Sequence, residues 1–499
     1  MQRVGIVDLG SNTARLVVFA FQTGQWFRKV DEIREPVRLG ESMGRGDRLS
    51  EPAMQRAEAA LRLYAKYAQV MKLPDIQVIA TSAVRDAANQ ETFLQRVRPL
   101  GLPIRVLSGE EEAELGVRAV ANGFDFEDAW VVDLGGGSAQ VSQMLQRRSA
   151  SGQAYPLGAV RLTEACLASD PPSSAQVESL EEVLEGNLGQ LSQSVRADSL
   201  PVVAMGGAIR NLARAVQRTT QYPLDRLHGF YLKLRALEKL TQRLLAAKAR
   251  RRARMGGIHP DRADIIVAAA LCYRWLLRRS GRDGLWISGQ GVREGAFYGR
   301  FLPHPHLLPD IRDFNLQNIF EQYPQSDLHT EQVRFLARRL FEELQPLHGL
   351  GERHAFLLDA AARLHDIGMT LGYHKHHKHG AYLIDSSPLN GFSHRETAML
   401  MLLVRYHRKG TPSWGGLGKL PDEGLAGKRT LLQMAACLRL AEFLERSRGG
   451  RVQDLRMEIS RKKVRMHLTA SENPFIEIWE TKKQAYLFER AFQRRLLLE

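Results

Sequence analysis

At 499 residues the chain is too long for one hydrophobic core and is expected to divide into three or four domains. Hydrophobic residues make up 44%, and the most apolar runs, such as ADIIVAAALCYRWLL, are short and broken by charge, which excludes a membrane-spanning segment. A net charge of +15 selects polyanions as partners, and the 3 cysteines, Cys166, Cys272 and Cys437, are too far apart for a disulfide framework or a zinc pattern.

The chain enters a strand almost at once, in VGIVDLGSNTARLVVF, with no basic-then-apolar leader before it, so a cytoplasmic protein is expected. That stretch reads as a strand, a turn around Gly10-Ser11-Asn12 and a second strand, with Asp8 where the chain turns. WFRKVDEIREPVRLG continues the sheet, EPAMQRAEAALRLYAKYAQVMK is helical, and IQVIATSA and IRVLS are further strands. LSGEEEAELG then leaves a strand and opens a helix. A second stretch, AWVVDLGGGSAQVSQM, repeats the first pattern. It is followed by strand-like AYPLGAVRLTE, helical SAQVESLEEVLEGNLGQLSQSV, and the strands PVVAMGG and LWISG. Two similar β-β-β-α-β units predict a duplicated domain pair, 1–122 and 123–303, with a cleft between. The basic run AKARRRAR falls on a helix and lacks interleaved aromatics, which argues against nucleic acid as the partner. LPHPHLLPD is a proline-rich linker. Residues 304–446 read as a helical, histidine- and arginine-rich domain, and 447–499 as a small α+β element in which VQDLRMEISRKKVRMHLTA and FIEIWE form strands before a closing helix.

Glycine lets the backbone approach a ligand closely, and successive N–H groups then form an anion-binding concavity. Gly135, Gly136, Gly137 and Ser138 make such a turn. A third, Gly206-Gly207 in MGGAIRNLA, runs into a helix whose N-terminus receives anions, with Arg210 and Asn211 close behind. GGLGKL near Lys419 lacks the spacing and hydroxyl of a Walker loop. Asp8 and Asp133, one from each half, either cap their turns or hold Mg²⁺ (or Mn²⁺) beside a phosphate. The glutamates of LSGEEEAELG suit a first helical turn, yet one of them aimed into the cleft would serve as general base toward water. Arg85, in ATSAVRDAAN, either grips a phosphate or pairs with Asp86.

DLGSNTARL, TSAVRDA, SGEEEA, DLGGGS and GGAIRNLA, with RLHDIG and VRYHRKG further on, resemble the exopolyphosphatase/guanosine pentaphosphate phosphohydrolase family, in that family's order and over nearly the whole chain. The resemblance implies an α/β fold: a duplicated actin-like pair (sugar kinase/Hsp70/actin, ribonuclease H-like), then an all-helical HD-like domain and a small α+β element. It implies hydrolysis of the terminal phosphoanhydride of inorganic polyphosphate or of pppGpp with a divalent cation, Glu112 as the catalytic glutamate and Glu111 as the near alternative. Asp133, Gly136, Gly137, Ser138 and Arg85 would surround the scissile phosphate, faced by Asp8, Ser11 and Asn12. One departure stands out: Ser138-Ala139-Gln140 replaces a Ser-Thr-Glu-like run, so a carboxylate is missing.

In the third region His329 and the pair His365-Asp366 resemble the metal-dependent phosphohydrolases named for their His-Asp pair, with Glu442 where those carry aspartate. His374, His376, His377, His379 and His407 add further ligands. The region is expected to be a second active site, an inactive metal-binding domain or a binding domain alone. The expected function is exopolyphosphatase; the alternative is pppGpp 5′-phosphohydrolase. A sugar-kinase-like phosphotransferase and a non-catalytic polyphosphate or nucleotide sensor are the readings from other classes. The family-based expectation for assembly is a homodimer through the third domain, with neither a membrane nor a nucleic acid as partner.

Overall fold

Val, Ile, Leu and Phe dominate the first strands, which pair as an antiparallel hairpin of β1 (Gln2–Leu9) and β2 (Ala14–Gln22), with Asp8 opposite Arg15. In the computed structural model, which describes residues 1–41, 43, 47–323, 326–425 and 427–499, β3 (Trp26–Glu35), β4 (Ile76–Ala80) and β5 (Ile104–Val106) complete a sheet of order β3-β2-β1-β4-β5. The helix Glu51–Val70 starts at the Ser50 cap and buries Ala53, Met54, Ala57, Leu61 and Tyr64. The Tyr64 hydroxyl donates to the Ala14 carbonyl at 2.9 Å and so ties this helix to the sheet.

The second sheet contains β6 (Ala129–Leu134), β7 (Ala139–Leu145), β8 (Arg148–Tyr155), β9 (Val202–Met205), β10 (Phe230–Lys233) and β11 (Gly284–Ile287), in the order β10-β11-β9-β6-β7-β8. Its run β8-β7-β6-β9-β11 repeats β3-β2-β1-β4-β5, which is the duplication legible in the motifs; β10 is an added edge strand. AYPLGAVRLTE is not a strand throughout. β8 ends at Tyr155, and Ala159–Cys166 is a helix that buries Val160, Leu162 and Cys166. Gly158, just before it, lies so close to Gly136 that any side chain would collide with the glycine turn.

The two halves exchange helices. Gly109–Ala121 belongs by sequence to the first half but packs on the second sheet: Val117, Val120 and Ala121 share a core with Ala129, Val131, Met144, Val203 and Met205. In return, Val292–Phe301 brings Phe297 and Phe301 onto the first sheet, where Phe297 stacks on Phe19 at 4.1 Å and Phe301 meets Phe21 and Phe27. A boundary at 122/123 therefore separates a helix from the sheet it covers.

The chain divides into two compact units, Met1–Ile311 and Arg312–Glu499, rather than at 303/304. The stretch after 303 is held to the first unit because Asn122 accepts from the Leu308 N–H at 2.7 Å and donates to the His306 carbonyl at 2.9 Å.

The second unit contains the helices Asp327–Glu343, Glu352–Leu364, His376–Ser386, His394–Tyr406 and Lys428–Leu444, then β12 (Val452–Ile459), β13 (Lys463–Ala470), the helix Phe475–Phe492 and β14 (Arg495–Leu498). FIEIWE opens that last helix instead of forming a strand. Glu477, Thr481, Leu487 and Phe488 form its buried side, while Phe475, Ile476 and Trp479 face solvent, so the apolar pattern is inverted at its start. The α+β element is not separate either. Buried Arg439 donates to the Tyr486 hydroxyl at 2.6 Å and to the Tyr406 and Gly410 carbonyls at 2.6 and 2.7 Å, joining the closing helix to the bundle. Among the described residues no helix is long and apolar enough to cross a membrane.

Candidate active site

The two Asp-Leu-Gly turns meet in the first unit. Ser11 Oγ lies 3.0 Å from Ser82 Oγ, and a Cβ placed on Gly137 would stand 2.8 and 2.7 Å from those two hydroxyl oxygens. On Gly136 it would lie 2.9 Å from the Ser11 Cβ. Only glycine allows these turns to approach so closely. The third turn closes the same space: Gly206 has φ +96, and a Cβ there would lie 2.6 Å from Asp133 Oδ1. Gly207 then starts the helix Gly207–Thr220, so unpaired N–H groups and the positive end of the helix dipole face the cleft.

Asp8, Ser11, Asn12, Glu112, Asp133, Gly135, Gly136, Ser138, Gly206 and Gly207 all line this cleft. Gly137 sits just behind it. The Asn12 side-chain amide is buried and its Nδ2 has no acceptor, so a donor stands ready for an anion. The adjacent glutamates diverge because successive helix positions point about 100° apart. Ser108 and Glu111 form a reciprocal capping box, with Glu111 accepting from the Ser108 N–H at 2.8 Å and held also by Arg105. Glu111 is thereby turned out of the cleft. Glu112, 8% exposed, points inward. Arg85 does not line the cleft: its guanidinium donates to Glu112 Oε2 at 2.8 Å, to Asp86 Oδ1 at 3.1 Å and to the Leu107 carbonyl at 3.1 Å. Arg85 thus keeps the foreseen pairing with Asp86, but its other partner is Glu112 rather than a phosphate, so it positions a glutamate.

Burial pushes the Glu112 carboxyl up to about 7, against the pull of Arg85 and with help from Asp133 and Asp8. Asp133 rises to about 6, through burial and despite Arg210. Asp8 is also raised by burial, although Arg293 and Arg15 oppose it. A pair of carboxylates whose charge is so poorly compensated could hold a divalent cation between the two halves. Gln140 stands directly across the strand pair from Asp133, donates to Ser138 Oγ at 2.7 Å, and leaves its own Oε1 buried without a partner.

Arg15, Arg210, Arg262 and Arg293 also line the cleft. Burial and mutual repulsion lower Arg15 and Arg262 to about 10, which still leaves both charged at neutral pH. Arg210 is anchored to the Gly206 and Gly289 carbonyls at 3.0 and 2.8 Å. Arg293 is 6% exposed, and its Nη1 makes no hydrogen bond, the Glu32 carboxylate being 3.9 Å away. Of these, only Arg210 was singled out in the sequence; the signal that could have found Arg15 is its place opposite Asp8 in the hairpin. Arg293 follows a fourth glycine turn, SGQG, which has no Asp-Leu-Gly signature to announce it. The residues foreseen for a second site, His329, His365, Asp366 and Glu442, come together in the other unit, with His365 Nε2 3.2 Å from Glu442 Oε2.

A duplicated α/β pair whose cleft combines three anion-binding turns, four guanidiniums and a near-neutral carboxylate defines a phosphohydrolase of the actin-like class. The chain belongs to the Ppx/GppA phosphatase family, whose profile matches residues 17–304, and its residues 311–483 match domain III of that family. It is a hydrolase of phosphoanhydride bonds. A guanosine-5′-triphosphate,3′-diphosphate pyrophosphatase of Aeromonas hydrophila subsp. hydrophila is 27% identical over 452 residues, 88% of this chain and 86% of the relative. Among solved structures, an exopolyphosphatase from Cytophaga hutchinsonii shares the fold (TM-score 0.57, 22% identity, 60% of this chain and 98% of that one). The Aquifex aeolicus Ppx/GppA family member is 29% identical, with TM-score 0.50 over 60% of this chain and 97% of that one.

Proposed function

We propose that the protein is an exopolyphosphatase that releases orthophosphate from the end of inorganic polyphosphate. One observation carries this reading: among the described residues the cleft is lined by four arginines and glycine-turn N–H groups and by no aromatic ring, so these residues offer grip for phosphates rather than a stacking surface for a base. The terminal phosphoryl group is received by the turns at Gly135–Ser138 and Gly206–Gly207 and by Asn12, with Arg293 and Arg262 on its oxygens. Water attacks the terminal phosphorus, a P–O bond forms as the anhydride P–O bond breaks, and Glu112 Oε accepts the proton. Arg85 holds that carboxylate in place. Mg²⁺ or Mn²⁺, held by Asp8 and Asp133, supplies charge compensation for the phosphoryl oxygens.

A second reading, pppGpp 5′-phosphohydrolase, is favoured by the similarity to the Aeromonas protein. In it the same groups take the 5′-terminal phosphoryl while the nucleoside remains outside the arginine-lined part of the cleft. Purified protein given Mg²⁺ with long-chain polyphosphate or pppGpp in parallel separates the two by phosphate release and product length. Loss of terminal phosphate mainly from polyphosphate supports the proposal, and conversion mainly of pppGpp to ppGpp replaces it with the second reading. Release from neither substrate, with Mn²⁺ also tried, removes both.

A further inference from the structure

A cavity of about 340 Å³ opens on the C-terminal unit, outside the buried His-Asp cluster. The cluster draws in His376 and His407, whose Nε2 atoms lie 3.4 and 3.9 Å from Asp366 Oδ1. His374 and His377, foreseen with them as metal ligands, line the cavity instead. Around them stand Lys375, Arg408, Lys409 and Arg446, and the rings of Tyr373 and Phe443 form the apolar part of the wall.

Four positive side chains gather here without a carboxylate to offset them. Among the described residues Lys375, Arg408, Lys409 and Arg446 make no ion pair, and the acid on the rim, Glu480, is taken by Lys483 at 2.5 Å. The guanidiniums rest on rings instead: Arg408 lies 4.8 Å from the centre of Tyr373 and Arg446 lies 5.8 Å from that of Phe443. Arg408 Nη2 also donates to the Tyr373 hydroxyl at 2.6 Å, and Arg446 reaches the same phenol. Two guanidiniums thus converge on one neutral oxygen, an arrangement that suits an anionic oxygen better. His377 is 4% exposed, and its Nδ1 has no hydrogen-bond partner. Lys375 has φ 61, in the left-handed region that a residue with a side chain occupies only at a cost, and it starts the helix His376–Ser386 without a side-chain cap. The positive end of that helix therefore lies at the cavity as well.

We propose that this cavity binds a phosphomonoester with a planar carrier, of the nucleoside monophosphate class. The phosphate takes the place of the Tyr373 hydroxyl between Arg408 and Arg446. Lys375 and Lys409 close on its outer oxygens, and His377 completes the donor set. A terminal phosphate carries about two charges, more than a phosphoryl group inside a chain, so four cations suit an end group. Phe443, 5% exposed, is the floor. At about 340 Å³ the space exceeds a phosphate and falls in the range of small-molecule sites, and the rings of Phe443 and Tyr373 give the carrier an apolar wall.

The test uses the full chain in chelator, so that no substrate turns over, and calorimetric titration with adenosine monophosphate, inorganic phosphate and long-chain polyphosphate in separate runs. Arg446→Met and Lys409→Met should each weaken adenosine monophosphate at least about tenfold, the weight of one charge-assisted hydrogen bond. Binding in the cleft of the first unit is common to all variants and cancels. Tyr373→Phe should bind adenosine monophosphate roughly fivefold more tightly, because the phenol no longer competes for the guanidiniums; loss of a merely structural residue would not tighten binding. If Arg446→Met fails to fold, Lys409→Met and Tyr373→Phe, both at exposed positions, carry the comparison. Equal affinity in wild type, Arg446→Met and Lys409→Met overturns the site, and equal affinity in Tyr373→Phe overturns the exchange with the phenol. Inorganic phosphate bound as tightly as adenosine monophosphate overturns the planar carrier and leaves orthophosphate as the ligand. Polyphosphate affinity that grows with chain length in wild type but not in Arg446→Met overturns the end group and makes the cavity one stop on a polymer track.

Discussion

Replacing Glu112 by glutamine tests the catalytic base and its burial together. Folding lifts this carboxyl from the ordinary 4.5 to about 7, chiefly because it is buried, with Arg85 pulling the other way. A rise of that size disfavours the ionised form in the folded protein by on the order of 3 kcal/mol. Since the folded value lies above the unfolded one, this stability is fully present below about pH 4.5, where both states are protonated, and is lost as pH rises through about 7. Glutamine copies the neutral acid, keeps an oxygen for Arg85, and avoids the loss. Glu112→Gln should therefore equal wild type near pH 5 within about 1 kcal/mol and exceed it by about 2–3 kcal/mol at pH 8. It should also release phosphate roughly 10²–10⁴-fold more slowly, the usual worth of a general base. Urea denaturation in the presence of chelator at the two pH values gives the first quantity, and phosphate release at pH 7.5 the second. Wild-type turnover, or a stability difference that does not grow with pH, refutes the reasoning.

The wild-type rate at saturating substrate should fall about tenfold per pH unit on the acid side of about 7, as Glu112 takes up a proton; a flat profile from pH 5.5 to 8 would assign the base elsewhere. Gly137→Ala forces a methyl group within 2.8 Å of the Ser11 and Ser82 hydroxyls, so kcat/KM should drop at least about tenfold while far-UV circular dichroism stays the same. Arg293→Met should raise KM roughly ten- to a hundredfold and reduce the salt dependence of binding, since one hydrogen-bonding charge is removed from the cleft. Gln140→Glu sets a carboxylate across from Asp133 and should lower the Mg²⁺ concentration needed for half-maximal activity; an unchanged requirement would place the cation away from this strand pair.

The parts of the site with local signatures were legible in the sequence. Asp8 and Asp133, the three glycine turns and Glu112 each sit in a short motif whose spacing already dictates a turn or a helix start. Arg262 and Arg293 were not, because each reaches the cleft from a loop or helix start whose own sequence resembles many others; only tertiary packing aims them inward. Arg85 shows the converse. Its motif was visible, but whether a guanidinium faces a phosphate or a glutamate depends on the angle of the helix Gly109–Ala121, which is set by a distant sheet. FIEIWE misled for a physical reason: alternation of apolar residues signals a strand only when one face is buried, and here Phe475, Ile476 and Trp479 are in solvent while Glu477 is buried and accepts the Ser447 N–H at 3.2 Å. The His-Asp cluster was half visible, since His376 and His407 stand among neighbouring histidines that the sequence cannot rank.

The exchange of helices between the halves governs the order in which the chain can mature. The first sheet is synthesised early, but Phe19, Phe21 and Phe27 are covered only when Phe297 and Phe301 arrive, nearly the whole first unit later. At about 5–20 residues per second the ribosome takes on the order of 15–60 s to make that intervening stretch. Throughout this time the nascent chain displays an aromatic face on a half-built sheet. Such a face is a target for trigger-type holdases and for mispairing with neighbouring nascent chains. A stop codon or proteolytic nick just before Val292 would thus strand the opposite half of the molecule, leaving an aggregation-prone fragment rather than a working N-terminal domain.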